Sequence, residues 1–235
     1  MKDFESMTGV LSDLEIHSNG RAGLSGSSGS RKVFYASSGK RVLDICIVLF
    51  TITLTLPVIL LCAAVTALDG QWPFFGHMRV GKDGREFRCW KVRSMVADAE
   101  MCLAAHLEAD AAAREEWARS RKLKKDPRIT RFGTFLRKSS LDELPQILNV
   151  LKGEMSIVGP RPVVRDELAL YGLNRRAYLK MRPGITGLWQ VSGRNATSYD
   201  DRVGFDQDYS TTFSLRRDLT IILQTIRVVI LRNGH

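Results

Sequence analysis

The sequence has few of the residues that mark common metal, disulfide and nucleotide sites. Four of its 235 residues are cysteine and four are histidine. The cysteines form no CxxC pair, so a structural zinc site and a disulfide framework are both disfavoured, and a reducing compartment fits better. The chain also lacks a GxxxxGKS/T loop and a GxGxxG fingerprint, which argues against ordinary kinases and dehydrogenases.

Acidic residues are scarce relative to basic ones. The chain has 35 lysines and arginines against 25 aspartates and glutamates, a formal net charge of +10. This balance points to anionic partners: nucleic acid, phospholipid or a phosphorylated substrate. The segment 114–138 is especially rich in lysine and arginine. Because the same chain has a long apolar segment, lipid headgroups are favoured over nucleic acid as its partner.

Residues 1–38 are rich in glycine and serine and show no sustained apolar period. Such a composition predicts a disordered tail. After this tail we expect a membrane-embedded segment at 39–70 and a cytoplasmic domain at 71–235. The expected fold class is α+β, mainly α.

The long apolar segment runs from Ile45 to Leu68 without a charged residue. A run of this length predicts a membrane-embedded helix, with a buried core helix as the alternative. Pro57 lies near its middle, where proline removes a backbone hydrogen bond and can kink a helix sharply.

Basic residues on both sides of this segment favour a helix that enters and leaves the same face of the membrane. Lys40 and Arg41 precede it, and we expect them to anchor it at the interface. The segment that follows, 79–138, is also basic. The positive-inside rule holds both flanks in the cytoplasm, which a single crossing does not allow. We therefore predict a re-entrant hairpin of two short limbs that turns at Pro57.

Shorter elements are predicted for the remainder. Alternating runs on either side of Gly81-Lys-Asp-Gly84 predict a β-hairpin over 76–93. Residues 98–122 predict a helix. The pattern from Leu215 to Leu231 predicts an amphipathic helix, either in the membrane interface or packed on the core, and the sequence leaves both open.

The stretch around Asp142 and Glu143 holds the main candidate site. These adjacent carboxylates are followed by apolar residues at helical spacing and by Gly153, which can end a helix. Ser140-Leu-Asp-Glu143 also fits a capping box, so spacing alone leaves an ordinary helix start open.

Arginines stand on both sides of this stretch, at Arg137 and Arg161. Carboxylates with nearby guanidinium groups suit an anionic substrate together with a divalent metal. The metal offsets the repulsion between carboxylate and phosphate, and arginine binds phosphate oxygens through two donors.

Two long motifs carry a family resemblance. They are Leu141-Asp-Glu-Leu-Pro-Gln-Ile-Leu-Asn-Val-Leu-Lys-Gly-Glu-Met-Ser-Ile-Val-Gly-Pro-Arg-Pro162 and Arg182-Pro-Gly-Ile-Thr-Gly-Leu-Trp-Gln-Val-Ser-Gly-Arg-Asn195. Both resemble signatures of the bacterial sugar transferases, the monotopic polyprenyl-phosphate hexose-1-phosphate transferases. The resemblance extends from about Lys40 to the C-terminus and is greatest to members that initiate exopolysaccharide assembly.

This resemblance implies an enzyme that transfers hexose-1-phosphate from a UDP-sugar to undecaprenyl phosphate and releases UMP, the first step of exopolysaccharide or capsule assembly. Galactose-1-phosphate is the expected group and glucose-1-phosphate the alternative. The implied location is the bacterial inner membrane, with the domain on the cytoplasmic face and membrane lipid as a partner. Nucleic acid is not expected as a partner, and a homo-oligomer is left open. Charge alone also allows a non-catalytic, membrane-tethered basic binding protein.

The resemblance also implies roles for individual residues. Asp142 would be the nucleophile of a two-step mechanism, with Glu143 as a base, metal helper or orienting group. Mg²⁺ held by Asp142 would screen negative charge. The cations expected to hold phosphate groups are Arg137, Arg161, Lys91 and Arg93.

Overall fold

The computed structural model describes residues 35–120, 123–192 and 198–231. The tail predicted for 1–38 therefore lies almost wholly outside the described residues. Most of the described chain is helical, as expected, and its strands are short. The helices in chain order are α1 (Lys40–Thr66), α2 (Ala99–Ala109), α3 (Ala111–Ser120), α4 (Arg131–Ser139), α5 (Gln146–Lys152), α6 (Arg165–Ala169), α7 (Arg175–Leu179), α8 (Leu188–Ser192), α9 (Tyr199–Thr212) and α10 (Leu215–Leu231).

Two small sheets accompany these helices. The strands β1 (Phe74–Val80) and β2 (Glu86–Val92) pair in antiparallel fashion, which confirms the predicted hairpin. The second sheet was not predicted from the sequence: β3 (Ser156–Val158) pairs in parallel with β4 (Gly184–Thr186). Because one strand lies in each long motif, this pairing joins the two motifs in space.

Glycines make the contact between β3 and β4 possible. The Gly159 amide donates to the Thr186 carbonyl at 2.9 Å, and the Gly184 amide donates to the Pro160 carbonyl at 2.8 Å. A Cβ added at Gly184 would lie 2.1 Å from the Gly159 nitrogen, and one added at Gly187 would lie 2.1 Å from the Gly159 oxygen. No side chain fits at such distances, so the motifs meet through bare backbone.

One face of α1 packs against the rest of the protein on both sides of the helix midpoint. Val48 and Ile59 belong to one core cluster with residues of β2 and α5. Cys62 belongs to another with Val92 and Leu136. The opposite face of α1 is apolar and exposed, with Leu49, Phe50, Leu54, Leu60 and Leu61.

The helix α1 continues through Pro57, so the predicted hairpin of two short limbs is not confirmed. Proline removes only one amide donor, and packing on both sides of Pro57 holds the helix. In the turns before Pro57, the Thr51 and Thr55 hydroxyls donate to the Ile47 and Thr51 carbonyls at 2.8 and 3.1 Å. The 27-residue helix is about 40 Å long, and its length and composition would allow it to cross a membrane.

The helix predicted for 98–122 is interrupted. Asp110 separates α2 from α3 in an extended conformation, with φ −126° and ψ 108°. Its carboxylate accepts hydrogen bonds from the amides of Ala112 and Ala113 at 2.9 and 3.1 Å. An aspartate that caps a new first turn competes with continuation of the previous helix, which explains the difference.

The predicted amphipathic helix is confirmed as α10. Asp218 and Ile221 are buried on one side of it, whereas Leu219 and Leu223 are exposed. The helix therefore packs on the core and also presents apolar side chains outward, so it shares features of both alternatives.

Candidate active site

A sharp change of chain direction places the two carboxylates between α4 and α5. Ser140 ends α4 in the left-handed conformation, with φ +58°, and a 3₁₀ turn over Leu141–Glu143 follows. Pro145 then precedes the first residue of α5. Ser140 makes no side-chain capping hydrogen bond, so the capping-box interpretation is wrong. The acidic pair belongs to a separate turn.

Lys91 of β2 lies beside both carboxylates. Its Nζ is 2.6 Å from Glu143 Oε1 and 3.8 Å from Asp142 Oδ2. Asp142 is 7% exposed, whereas the Glu143 side chain is 32% exposed. Burial raises the pKa of Asp142, and the positive charge of Lys91 opposes this rise. A buried carboxylate whose ionisation depends on a neighbouring cation is suited to act as a nucleophile or a metal ligand.

Arg137, at the C-terminal end of α4, is also close to this pair. Its Nε donates to the Ser94 hydroxyl at 2.9 Å. Its charge joins that of Lys91 in opposing the effect of burial on the pKa of Asp142. Gly133 permits this placement, because a Cβ at this position would lie 1.9 Å from the backbone carbonyl oxygen of Ser94. Helix α4 therefore approaches the backbone after β2 closely enough to bring Arg137 to the site.

A buried asparagine connects the two elements that carry the site. The Asn149 side chain of α5 accepts a hydrogen bond from the Trp90 amide at 3.1 Å and donates to the Arg88 carbonyl at 2.7 Å. Its amide thus pairs with the backbone of β2 much as another strand would. Lys91 follows Trp90, and Asp142 lies just before α5. The contact between Asn149 and β2 therefore helps to set the distance between Lys91 and Asp142.

Arg161 reaches the site region from the segment after β3. Its guanidinium carbon is 5.5 Å from the centroid of the Trp189 ring, a cation–π contact. Burial raises the pKa of the Cys89 thiol, and the charges of Lys91, Glu143 and Arg161 all act on that thiol. The phosphate-binding role of Arg161 stays a prediction.

Comparison with known protein families shows to which family this chain belongs. A family model described as "Bacterial sugar transferase" matches residues 35–232. The chain belongs to this family. The match confirms the resemblance drawn from the two motifs, and it includes α1 as well as the Asp142 site.

Named relatives of this bacterial sugar transferase agree with the family match. The UDP-galactose-lipid carrier transferase of Erwinia amylovora is 51% identical over 195 residues, covering 83% of this chain and 41% of that protein. Exopolysaccharide production protein ExoY of Sinorhizobium fredii is 48% identical over 196 residues, covering 83% of this chain and 87% of ExoY. The undecaprenyl-phosphate galactose phosphotransferase of Salmonella typhimurium is 47% identical over 195 residues, covering 83% of this chain and 41% of that protein. The chain thus matches less than half the length of the Erwinia and Salmonella relatives.

Arg93 of this bacterial sugar transferase does not lie with the acidic pair. Its Nη1 and Nη2 are 2.8 and 2.7 Å from the Asp69 carboxylate, and Nη2 also donates to the Thr66 carbonyl at 3.2 Å. These contacts secure the C-terminal end of α1. The phosphate-binding role of Arg93 stays a prediction.

Lys40 and Arg41 also contact protein groups. Lys40 Nζ is 2.6 Å from the Asp218 carboxylate. Arg41 donates to the carbonyls of Val150 and Leu151 at 2.5 and 2.9 Å. The two cations hold the start of α1 on the domain, and the interface anchoring that the sequence indicated stays a prediction.

The acidic pair fits the expected Mg²⁺ only as part of a shared site. Among the described residues, no group of three or more His, Cys, Asp or Glu side chains could hold a metal ion. Mg²⁺ does not need such a cage, because it is usually bound by one or two carboxylates together with waters and substrate phosphates. Asp142 and Glu143 supply carboxylate oxygens near one ammonium group. The donor set therefore suits Mg²⁺ bound together with a phosphorylated substrate.

Sequence reasoning did not single out several residues around the site. Asn149 and Trp189 stand inside the two motifs, but their partners lie on other elements. Their positions within long motifs were a usable signal, whereas their contacts required the fold.

Proposed function

We propose that this bacterial sugar transferase is a phosphotransferase that moves hexose-1-phosphate from a UDP-sugar to undecaprenyl phosphate and releases UMP. This reaction would begin the assembly of an exopolysaccharide repeat unit. Galactose is the preferred sugar in this proposal, because the names of the Erwinia and Salmonella relatives both specify galactose. Glucose, which differs at one hydroxyl, is the second candidate.

The observation that carries the proposal is the buried Asp142 with Lys91 and Glu143 beside it. In the first step, an Asp142 oxygen attacks the phosphorus that bears the sugar. A carboxylate–phosphorus bond forms, the bond from phosphorus to the UMP oxygen breaks, and UMP leaves with the bonding electrons. A non-catalytic basic binding protein would have no use for a buried carboxylate arranged in this way.

In the second step, an oxygen of undecaprenyl phosphate attacks the same phosphorus. The bond to Asp142 breaks, and the carboxylate is regenerated while the lipid carries a diphosphate-linked hexose. Two displacements at phosphorus, first by Asp142 and then by the lipid phosphate, replace one direct displacement between two anionic substrates. Each of the two steps then has a lower barrier than the direct displacement.

The surrounding side chains support these steps by charge and position. Lys91 favours the ionised form of Asp142, and its contact with Glu143 orients the ammonium group between the carboxylates. Arg137 and Arg161 are the candidates for binding phosphoryl oxygens as charge develops on them. Mg²⁺, when bound at Asp142, would supply further positive charge to the phosphoryl oxygens.

The contacts of α1 support a monotopic arrangement. Near its start, the Asp44 carboxylate accepts hydrogen bonds from the Ser156 hydroxyl and the Ile157 amide at 3.0 and 2.9 Å. Beyond its other end, Asp69 is bound by Arg93. Both ends of the helix thus contact the same domain, which cannot lie on both sides of a bilayer. We infer that α1 enters the lipid from the cytoplasmic face with its exposed apolar side and does not cross.

The test is UMP release from purified full-length protein in detergent with undecaprenyl phosphate and Mg²⁺. UDP-galactose, UDP-glucose and UDP-N-acetylglucosamine should be compared, with D142N as the inactive control. We expect UDP-galactose to give the highest kcat/KM. Preference for UDP-glucose would replace the sugar but keep the reaction, whereas no UMP from any donor would reject the reaction class.

A further inference from the structure

Arg202 of α9 is a buried cation with unmet hydrogen-bonding capacity. It is 7% exposed, and its Nε and Nη2 atoms have no hydrogen-bond partner within the described ranges. Two aromatic rings flank it instead: its guanidinium carbon lies 5.3 Å from the Trp189 centroid and 5.2 Å from the Tyr199 centroid. The main attractive contacts that the structure gives this guanidinium are therefore cation–π contacts.

The Trp189 ring is shared with the site arginine. Arg161 is 5.5 Å from the same ring centroid. Cations and rings therefore alternate in the order Arg161, Trp189, Arg202, Tyr199. The far end of this stack is fixed, because the Tyr199 hydroxyl donates to the Glu167 carbonyl at 2.8 Å. Arg161 stands at the other end and is only partly buried.

The arginine at position 202 has an energetic cost as well as a benefit. A buried guanidinium with unpaired N–H groups is unfavourable compared with an apolar side chain of similar volume. A methionine between Trp189 and Tyr199 would keep the packing without unpaired donors. The charge of Arg202 acts on two neighbours: the buried Asp206 carboxylate, whose pKa it lowers, and the Trp189 ring, with which it makes a cation–π contact.

We propose that Arg202 is a positioning residue for Arg161, acting through Trp189. Attraction to Arg202 and packing against it hold the indole in one orientation, and the indole in turn supports the guanidinium plane of Arg161. Arg161 then meets the diphosphate of the nucleotide-sugar donor without first losing rotamer freedom, which is the benefit of preorganisation. This inference rests on the proposed function, since it assigns Arg161 to the donor phosphates.

The proposal predicts a defect confined to the donor. Because Arg202 is too buried to touch either substrate, its loss should weaken donor binding only through Arg161. We expect R202M to raise the KM for the UDP-sugar by about tenfold, the effect of losing one well-desolvated cation–π support. The KM for undecaprenyl phosphate should stay within about twofold of the wild-type value.

The experiment compares R202M, R202K, R161M and the R161M/R202M double variant as full-length protein in detergent. The control is R175M, which removes an exposed arginine of α7. For each variant, KM and kcat for both substrates are measured together with Tm. We expect R202K, which keeps a positive charge near Asp206, to recover part of the donor KM. The double variant should be no worse than R161M, because Arg202 acts through Arg161.

Other outcomes would overturn the inference. An unchanged donor KM in R202M, or equal increases for both substrates, would show that Arg202 does not act on the donor site. Additive losses in the double variant would show that it does not act through Arg161. If R202M does not fold, R202K decides, since a structural role predicts no donor-specific change. Absence of UMP release by the wild type would instead reject the proposed function itself.

Discussion

Two buried acid–lysine clusters of this protein differ in how fully the carboxylate is bonded. Asp218 accepts hydrogen bonds from Tyr35 at 2.5 Å, Lys40 at 2.6 Å and Tyr209 at 2.6 Å. Asp142 has the Lys91 ammonium at 3.8 Å, which is too long for a hydrogen bond.

The difference separates a structural carboxylate from a reactive one. The oxygens of Asp218 are occupied, so this residue joins α1, α9 and α10 and has little capacity for a ligand. Asp142 is buried but incompletely bonded, so it retains lone pairs for phosphorus or a metal ion. A buried acid is therefore a candidate for a functional site only when hydrogen bonds within the protein leave some of its oxygen lone pairs unoccupied.

The largest expected effect is on catalysis at Asp142. D142N should lower kcat for UMP release by about a thousandfold or more, because it removes the proposed nucleophile but keeps the shape of the side chain. Tm should change little, since few hydrogen bonds depend on this carboxylate. Turnover near the wild-type rate in D142N would reject Asp142 as the nucleophile.

The corresponding change in the other cluster should have the opposite pattern. D218N leaves Lys40 without its buried counter-ion, and we expect a loss of about 3 kcal/mol of unfolding free energy. Measured as a decrease in Tm in detergent, this loss should accompany near-normal kcat in the protein that remains folded. Unchanged Tm with reduced kcat would reverse our assignment of the two clusters.

A third buried carboxylate, Asp206, lies between these extremes, with one hydrogen bond from the Tyr171 hydroxyl at 2.7 Å. Burial raises its pKa from 3.8 to about 6. Since the folded state holds the proton more tightly, the stability from this group is present below about pH 4 and lost as pH rises through about 6. The loss should be about 3 kcal/mol.

Comparison of D206N with the wild type tests this pH dependence. The wild type should lose stability between pH 4 and 7 relative to D206N, because the amide does not titrate. Tm measured across this range is the readout. Parallel curves for the two proteins would show that Asp206 titrates alike in the folded and unfolded chains.

The smallest expected effect is that of K91M, which tests the role of Lys91 beside Asp142. K91M should lower kcat/KM at neutral pH by about tenfold and move the acidic limb of the pH profile upward, because burial of Asp142 is then less opposed by positive charge. K82M, in the exposed turn of the same hairpin, is the control. Loss of activity without a change in the pH profile would assign Lys91 to substrate binding alone.

Sequence reasoning reached the residues whose roles depend on local chemistry. Asp142 and Glu143 stand in a long motif, and Lys91 was placed on a hairpin that the structure confirms. Sequence reasoning did not find the ion pairs between residues that are distant in the sequence. The residues next to a lysine or arginine do not show which distant carboxylate it contacts in the fold. Lys40 pairs with a residue 178 positions away, and Arg93 with one 24 positions before it. The stack of Trp189 and Arg202 likewise needed the packing of α8 against α9.

The attachment of α1 at its first turns also has a consequence for biosynthesis. The partners of Lys40, Arg41 and Asp44 lie 178, 109 and 113 residues further along the chain, so the helix leaves the ribosome long before them. Until they arrive, Lys40, Arg41 and Asp44 have only one another as charged neighbours along the helix, and a single charge at the bilayer centre costs about 3 kcal/mol. The nascent helix is therefore held near the lipid surface at its start until the segment that carries Asp218 has been synthesised. The order of synthesis thus favours the shallow insertion that we propose for α1.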